Sequence, residues 1–243
     1  MVNNMNNEYL EDKSKKVWKS GTFIYPIPAA LVSSGTMEKS NILTVAWTGI
    51  LNTNPAIVYV SIRPERYSYK LIKETGEFVI NLTNENLVFE TDWCGVKSGL
   101  EYDKFKELNL TKQKGKFVKC PLIKEAPVSI ECNVIEEKKL GSHVCFIAEV
   151  KSIDADIKYF DKNGAFDISK CNIIAYANGG YYSLGKKLGT FGYSVSKKNK
   201  KQIEEVKVKN KKSDKINDNK LDRKNFKNHK IAKSKNKRKN FKK

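Results

Sequence analysis

The sequence predicts a mainly β fold, a closed or partly closed antiparallel barrel with a few short helices. Three observations predict it. Short runs of alternating or β-branched residues recur from Phe23 to Tyr176, and turn residues separate them. Helical periodicity is confined to brief stretches. Strong polarity gathers at the C-terminal end, so the rest of the chain keeps enough apolar residues for a core, although mean hydropathy is −0.56. Many short strands with few helices favour closure, which removes exposed sheet edges.

Residues 1–19 read as a polar leader rich in Asn and charge, without an apolar signal core. Ala29–Ser33 is a short apolar run that ends in the turn signal Ser33-Ser34-Gly35. Asn41–Leu51 alternates as one strand, Asn52-Thr53-Asn54-Pro55 breaks it, and Ala56–Ile62 resumes as a β-branched run, so the pair predicts a hairpin. The period then changes. Pro64 suits the first turn of a helix, where its missing N–H is not needed. Tyr67, Leu71 and Ile72 share a helical face, and Gly76 is a C-terminal stop. Phe78–Leu82 is again a strand. Asn84–Phe105 is mixed, with a short helix over Tyr102–Leu108. Val128–Val134 and His143–Ile153 are strands with Lys138–Ser142 as the turn between them, Ile157–Phe160 is a further strand candidate, and Ile173–Tyr176 is a last short strand.

This gives three parts: the leader 1–19, a folded domain 20–196 and a basic tail 197–243. The tail holds 21 of the 46 Lys and Arg and 5 of the 27 Asp and Glu, which leaves 25 basic and 22 acidic side chains in residues 1–196. The high isoelectric point therefore belongs to the tail. Its Lys/Asn-rich composition offers too little apolar surface to offset ordering entropy, so it is read as disordered. No apolar run approaches the roughly 20 residues that a bilayer requires. Five cysteines, an odd number without CxxC spacing, fit a reduced cytoplasmic setting and small buried hydrophobes. Only two histidines exist, and one, His229, lies in the tail, which argues against a His/Cys metal site.

Three segments carry candidate chemistry. On a strand through Asn41, Thr44, Ala46, Trp47, Thr48 and Gly49, the residues Thr44, Ala46 and Thr48 share one face, small and polar enough for a flat ring to approach the backbone. Leu43, Val45 and Trp47 would then face a core. Taken alone, the segment reads as a half-buried strand with a polar outer face. In Ser61-Ile62-Arg63-Pro64-Glu65-Arg66-Tyr67-Ser68 a strand ends where a helix begins. Helix starts offer free N–H groups and positive partial charge. Arg63 or Arg66 can add bidentate contacts to a phosphate, and Ser61 or Ser68 a hydroxyl. A solvated helix start with Arg66 paired to an acid is the plainer alternative. Lys97-Ser98-Gly99 with Asp103-Lys104-Phe105 reads either as a loop closing over a ligand or as a surface loop and helix cap. No catalytic residue is assigned. His143, the one histidine of the domain, is a candidate for contact with a ligand, and equally a structural residue at a strand start.

In order and spacing these segments resemble the flavin reductase-like, flavoredoxin-type proteins. The likeness rests on Asn41-x-x-Thr44-x-Ala46-Trp47-Thr48-Gly49, then Ser61-Ile62-Arg63-Pro64-x-Arg66-Tyr67-Ser68, then Glu77-Phe78-Val79-Ile80-Asn81-Leu82. It continues through Lys97-Ser98-Gly99, Asp103-Lys104-Phe105, His143-x-x-Phe146-Ile147-x-Glu149-Val150 and Tyr182-x-Leu184-Gly185-x-x-Leu188-Gly189, roughly Thr22 to Val195. Ala148 departs from the pattern, where Gly is expected. The resemblance implies an FMN-binding split β-barrel of Greek-key-like antiparallel topology and a homodimer with non-covalent FMN near its interface. It also implies that the first segment lines the isoalloxazine ring, with Arg63 and Ser68 on the phosphate, and it offers NAD(P)H as a co-substrate.

Two electron-transfer readings follow. One is an oxidoreductase passing electrons from NAD(P)H through FMN to free flavin, ferric iron or a protein acceptor. The other is a flavoredoxin-like carrier without NAD(P)H activity of its own. No Rossmann GxGxxG is present, so no separate dinucleotide domain is expected. A third reading, from another class, is weak, sequence-independent nucleic-acid contact by the basic tail.

Overall fold

The computed structural model describes residues 15–196. Most of the notable architecture lies in one seven-stranded antiparallel sheet. Its strands are β2 (Ala30–Gly35), β3 (Ser40–Val45), β4 (Thr48–Thr53), β5 (Ala56–Ile62), β6 (Glu77–Leu82), β9 (Val128–Leu140) and β10 (His143–Ala155). The spatial order is β3-β2-β6-β9-β10-β5-β4. A three-stranded sheet joins β1 (Ile27–Pro28), β11 (Ile174–Ala177) and β12 (Gly180–Ser183), and β7 (Lys112–Gln113) pairs with β8 (Leu122–Ile123). Three α-helices accompany them: α1 (Tyr67–Thr75), α2 (Val88–Val96) and α3 (Lys104–Glu107).

Barrel closure follows from one short connection. Strands β3 and β4 lie at opposite edges of the sheet, yet only Ala46 and Trp47 separate them. So short a link spans only about 10 Å even when extended. The edges must therefore roll together, and Ser61 N–H donates to the Trp47 carbonyl at 2.8 Å, which extends the β4–β5 ladder into the corner. This corrects the single strand expected over Asn41–Leu51. The strand-like pattern runs through the corner, and periodicity does not register a chain that leaves one edge to join the other. The β4–β5 hairpin itself forms as expected, with Thr53 opposite Ala56.

Inside the barrel, Val32, Leu43, Val45, Val60, Phe78, Ile80 and Phe146 form the main core, and Ile72 of α1 joins it. Ala148 is fully buried there, opposite Val58 of β5 and Val134 of β9, so its methyl group fills core space. A second core lies on the outer face of β2 and β3, where Leu31 and Ile42 meet Cys94 of α2 and Phe105 of α3. Strand β3 is thus buried on both faces.

Helix α1 begins later than expected. Arg66 N–H bonds to the Arg63 carbonyl at 3.0 Å, so Pro64 sits in a turn ahead of the helix and not in its first turn. Gly76 ends α1 at φ 69°, with its N–H on the Ile72 carbonyl at 2.8 Å. Two further expectations change. Ile157–Tyr159 is a 3₁₀ turn, capped by Asp156, and not a strand. Strands β9 and β10 continue to Leu140 and from His143, which leaves Gly141 and Ser142 as the turn in place of Lys138–Ser142.

Four of the five cysteines, Cys94, Cys120, Cys132 and Cys171, are buried, and all five are free thiols. Burial pushes the thiols of Cys94, Cys120 and Cys132 up to about 12, so they behave as small apolar groups. Residues 186–196 belong to a second compact unit, and within it Tyr193–Val195 forms a 3₁₀ turn. The expected tail, 197–243, and most of the expected leader lie outside the described residues.

Candidate functional site

The junction of β5 and α1 carries Arg63, Glu65, Arg66 and Tyr67 into the wall of a cleft of about 370 Å³. Strand β3 contributes Asn41 and Leu43, the loop after α2 contributes Lys97, Ser98 and Gly99, and α3 contributes Lys104. Four cations thus face one acid. That acid, Glu65, lies 3.5 Å from Arg63, and both side chains are more than half exposed, so the pair neutralises little. No side chain caps the start of α1 and its first turn holds no acid, so the helix adds positive potential.

Asn41 is the polar centre of this cleft. It is buried, its Nδ2 donates to Ser68 Oγ at 2.9 Å, and its Oδ1 has no partner. A Cβ on Gly99 would stand 2.1 Å from that Oδ1, so glycine is required for the loop to close over Asn41. Ser68 is fully buried and is not on the cleft wall. It accepts from Ser34 Oγ at 3.0 Å and from Asn41, so it orients Asn41.

A second cleft of about 180 Å³ shares Leu43, Arg63 and Arg66 with the first and continues along Thr44, Val45, Ala46, Trp47, Ser61 and His143. Two corrections belong here. Trp47 does not enter the core. It is 40% exposed and lies against His143, with ring centroids 4.3 Å apart, because the chain turns at the barrel corner. Nor is the Thr44 face simply open. Its hydroxyl donates to the Thr91 carbonyl, and α2 comes so near that a Cβ on Gly95 would stand 3.3 Å from Thr44 Cβ.

A third cleft of about 400 Å³ takes up Ala46 and Trp47 again and runs to Thr48, Tyr59 and the segment Gly21–Tyr25. The Thr48 hydroxyl donates to the Tyr59 carbonyl at 2.6 Å. Gly49 lines none of these three clefts. It lies opposite Tyr59, and a Cβ there would press on the Tyr59 ring at 3.1 Å. Residues shared between them join the three clefts into a groove: cationic at one end, mixed in the middle, where Thr44, Ala46 and Ser61 are the small side chains, and aromatic at the other.

His143 opens β10 on the wall of the middle cleft. Burial, then the nearby Arg63, hold its pKa below the usual value, so the ring is neutral at pH 7. Its Nδ1 lies 2.9 Å from Ser142 Oγ.

Sequence reasoning missed Lys104 and Tyr59 as site residues. Lys104 was inside a quoted motif, but nothing in Asp103-Lys104-Phe105 says which side chain turns inward. Tyr59 could be read only from the β4–β5 register, which sets Gly49 beneath it.

The groove lies at the seam of an antiparallel split barrel, and the charge of its first cleft suits an anion. The flavin reductase like domain family model matches residues 22–185, and the chain belongs to that family. An uncharacterised protein of Archaeoglobus fulgidus is 37% identical over 128 residues, which is 53% of this chain and 72% of that protein. Among solved structures, flavoredoxin of Desulfovibrio vulgaris (Miyazaki F) is 31% identical with a TM-score of 0.70, covering 75% of this chain and all of that one. Flavoredoxin of Methanosarcina acetivorans is 27% identical with a TM-score of 0.68, covering 75% and 99%. An FMN-binding protein of Thermus thermophilus, 20% identical with a TM-score of 0.62 over 72% and 99%, shares the fold.

Proposed function

We propose that the groove binds FMN and that the protein is an oxidoreductase passing electrons from NAD(P)H through this flavin to free flavin, ferric iron or a protein acceptor. One observation carries the reading: a cationic cleft joined through Leu43, Arg63 and Arg66 to a second cleft that runs along Thr44, Ala46 and Ser61 to Trp47 and His143. The fit is chemical. Arg63, Arg66 and Lys97 supply mobile cations for a terminal phosphate, and Asn41 holds a buried acceptor with no partner. Ala46 and Ser61 leave room for a flat ring against the backbone, beside Trp47 and His143. A bound flavin supplies the hydride and electron chemistry itself. The residues then bind, orient and limit water. Neutral His143 is suited to hydrogen bonding and stacking without adding charge beside the ring.

A carrier without its own nicotinamide activity remains the second reading, favoured by the likeness to flavoredoxins at 27–31% identity. Steady-state NADH and NADPH oxidation with FMN present separates the two. Turnover supports the reductase. A protein that holds FMN yet oxidises neither nicotinamide is the carrier.

The proposal includes a homodimer. Strand β4 is a sheet edge, and it presents Ile50 at 80% and Leu51 at 52% exposure, apolar surface suited to a second copy. A reducing, cytoplasmic setting is proposed from the five free thiols. Among the described residues no helix is long and apolar enough to cross a membrane.

A further inference from the structure

Lys104 differs from the other cations of the cationic cleft. Arg63, Arg66 and Lys97 are exposed, whereas Lys104 lines the same cleft and is only 2% exposed. Its Nζ donates to the Cys94 carbonyl at 2.7 Å, near the C-terminal end of α2. An ammonium carries three donors, and this contact uses one. Among the described residues no carboxylate pairs with it. Capping a helix carbonyl does not explain the burial, because a surface lysine does that while keeping its hydration. A buried cation without a counter-charge is costly, and here it faces a cleft whose remaining charge is also positive. The arrangement becomes favourable when a dianion enters.

Resting on the flavin reading above, we propose that Lys104 is the interior counter-charge of the flavin's terminal phosphate. It makes the cleft select a phosphorylated flavin over the unphosphorylated one, in a way that depends on its own protonation. The groups facing it are Cys94 on α2 and, across the cleft, Arg63, Glu65, Arg66 and Lys97. Burial, with a further push from Arg66 and against the opposing effect of Cys94, brings the Lys104 ammonium down to about 8. Cys94, at about 12, stays a neutral thiol throughout, and His143 titrates below this window. A phosphate monoester is a dianion above pH ~6. Phosphate-dependent affinity is therefore full between about pH 6.5 and 7.5. It falls as pH rises through 8, toward tenfold per unit at most.

The test compares FMN with riboflavin on the full-length protein, by quenching of flavin fluorescence, across pH 6.5–9.5. In the unaltered protein the FMN-to-riboflavin affinity ratio is expected to drop above pH 8 while riboflavin binding stays flat. In Lys104→Met, which keeps volume without charge, the ratio is expected to fall roughly ten- to hundredfold, the range of one charge-assisted hydrogen bond, and to lose its pH dependence. Riboflavin binding by the same sample reports whether the variant is folded. An unchanged ratio in the variant, or a pH-independent ratio in the unaltered protein, would overturn the inference and leave FMN binding standing. Binding of neither flavin by the unaltered protein would remove the proposed function and this inference together.

Discussion

Asn41 ties the barrel to the groove. Its amide is fixed from below by Ser68, which in turn accepts a hydrogen bond from Ser34, and its free Oδ1 lies where the Gly99 loop closes. A methyl group at residue 99 would overlap that oxygen. Gly99→Ala should therefore displace Asn41 and weaken FMN about tenfold, the loss of one hydrogen bond with a neighbour out of place. Melting in the absence of FMN should fall as well, because the buried Asn41–Ser68 bond is disturbed, and calorimetry with and without FMN separates the two losses. A different residue holds the far side of the molecule. Glu131 is fully buried and accepts from the backbone N–H groups of Lys116, Phe117 and Val118 at 3.1, 2.8 and 2.8 Å. Burial pushes its carboxyl up, but those three donors outweigh it and hold the pKa below the usual value. Burial, then the hydrogen bond to Glu131, raises the pKa of its neighbour Asp154. A lowered folded pKa means that the Glu131 contribution is present above about pH 4.5 and lost as pH falls through the folded value. Glu131→Gln sets an amide among N–H donors and should cost about 1–3 kcal/mol at pH 7, with a smaller difference from the parent at pH 3. Urea unfolding at both pH values measures it.

At the scale of elements, the edge strand β4 makes the clearest claim. If Ile50 and Leu51 meet a second copy, Ile50→Lys should shift sedimentation from dimer to monomer. As a surface change it should alter the stability of the monomer by only about 0.5 kcal/mol. A variant that still sediments as a dimer would exclude this edge as the interface. Elements also differ in how far the sequence disclosed them. The β4–β5 hairpin was legible because β-branched residues flank an Asn/Pro turn, and the end of α1 because Gly76 accepts positive φ. Helix α2 was not legible, since it buries Thr91 and Cys94 while Phe89 and Val96 are each 69% exposed, which inverts the apolar stripe. The end of β9 was read as turn from Lys138 because its residues are charged. Glu136–Lys139 instead pair with Val144–Ile147 of β10. Within the groove, the arginine-flanked start of α1 was visible as local chemistry. That Lys97, Ser98 and Gly99 stand opposite it depends on how α2 packs over β3, which no local pattern encodes.

At the scale of the whole molecule, the barrel seam does two things. It closes the sheet through Ala46 and Trp47, and it sets the small-residue stretch of β3 beside the cationic end of β5. The folded domain holds nearly balanced charge, whereas the tail 197–243 carries most of the excess. Contact with nucleic acid should therefore follow the tail. A mobility shift seen with the full chain should weaken with salt and be lost in a chain ending at Ser196. Equal shifts by both chains would dismiss the tail. The central claim, a flavin held in the groove at the seam, is tested most directly by adding excess FMN to the purified, folded protein and following its fluorescence and the protein's melting together. Quenching with saturation, accompanied by a rise in melting temperature that grows with FMN concentration, is the expected result. Unquenched fluorescence and an unmoved melting temperature would contradict it.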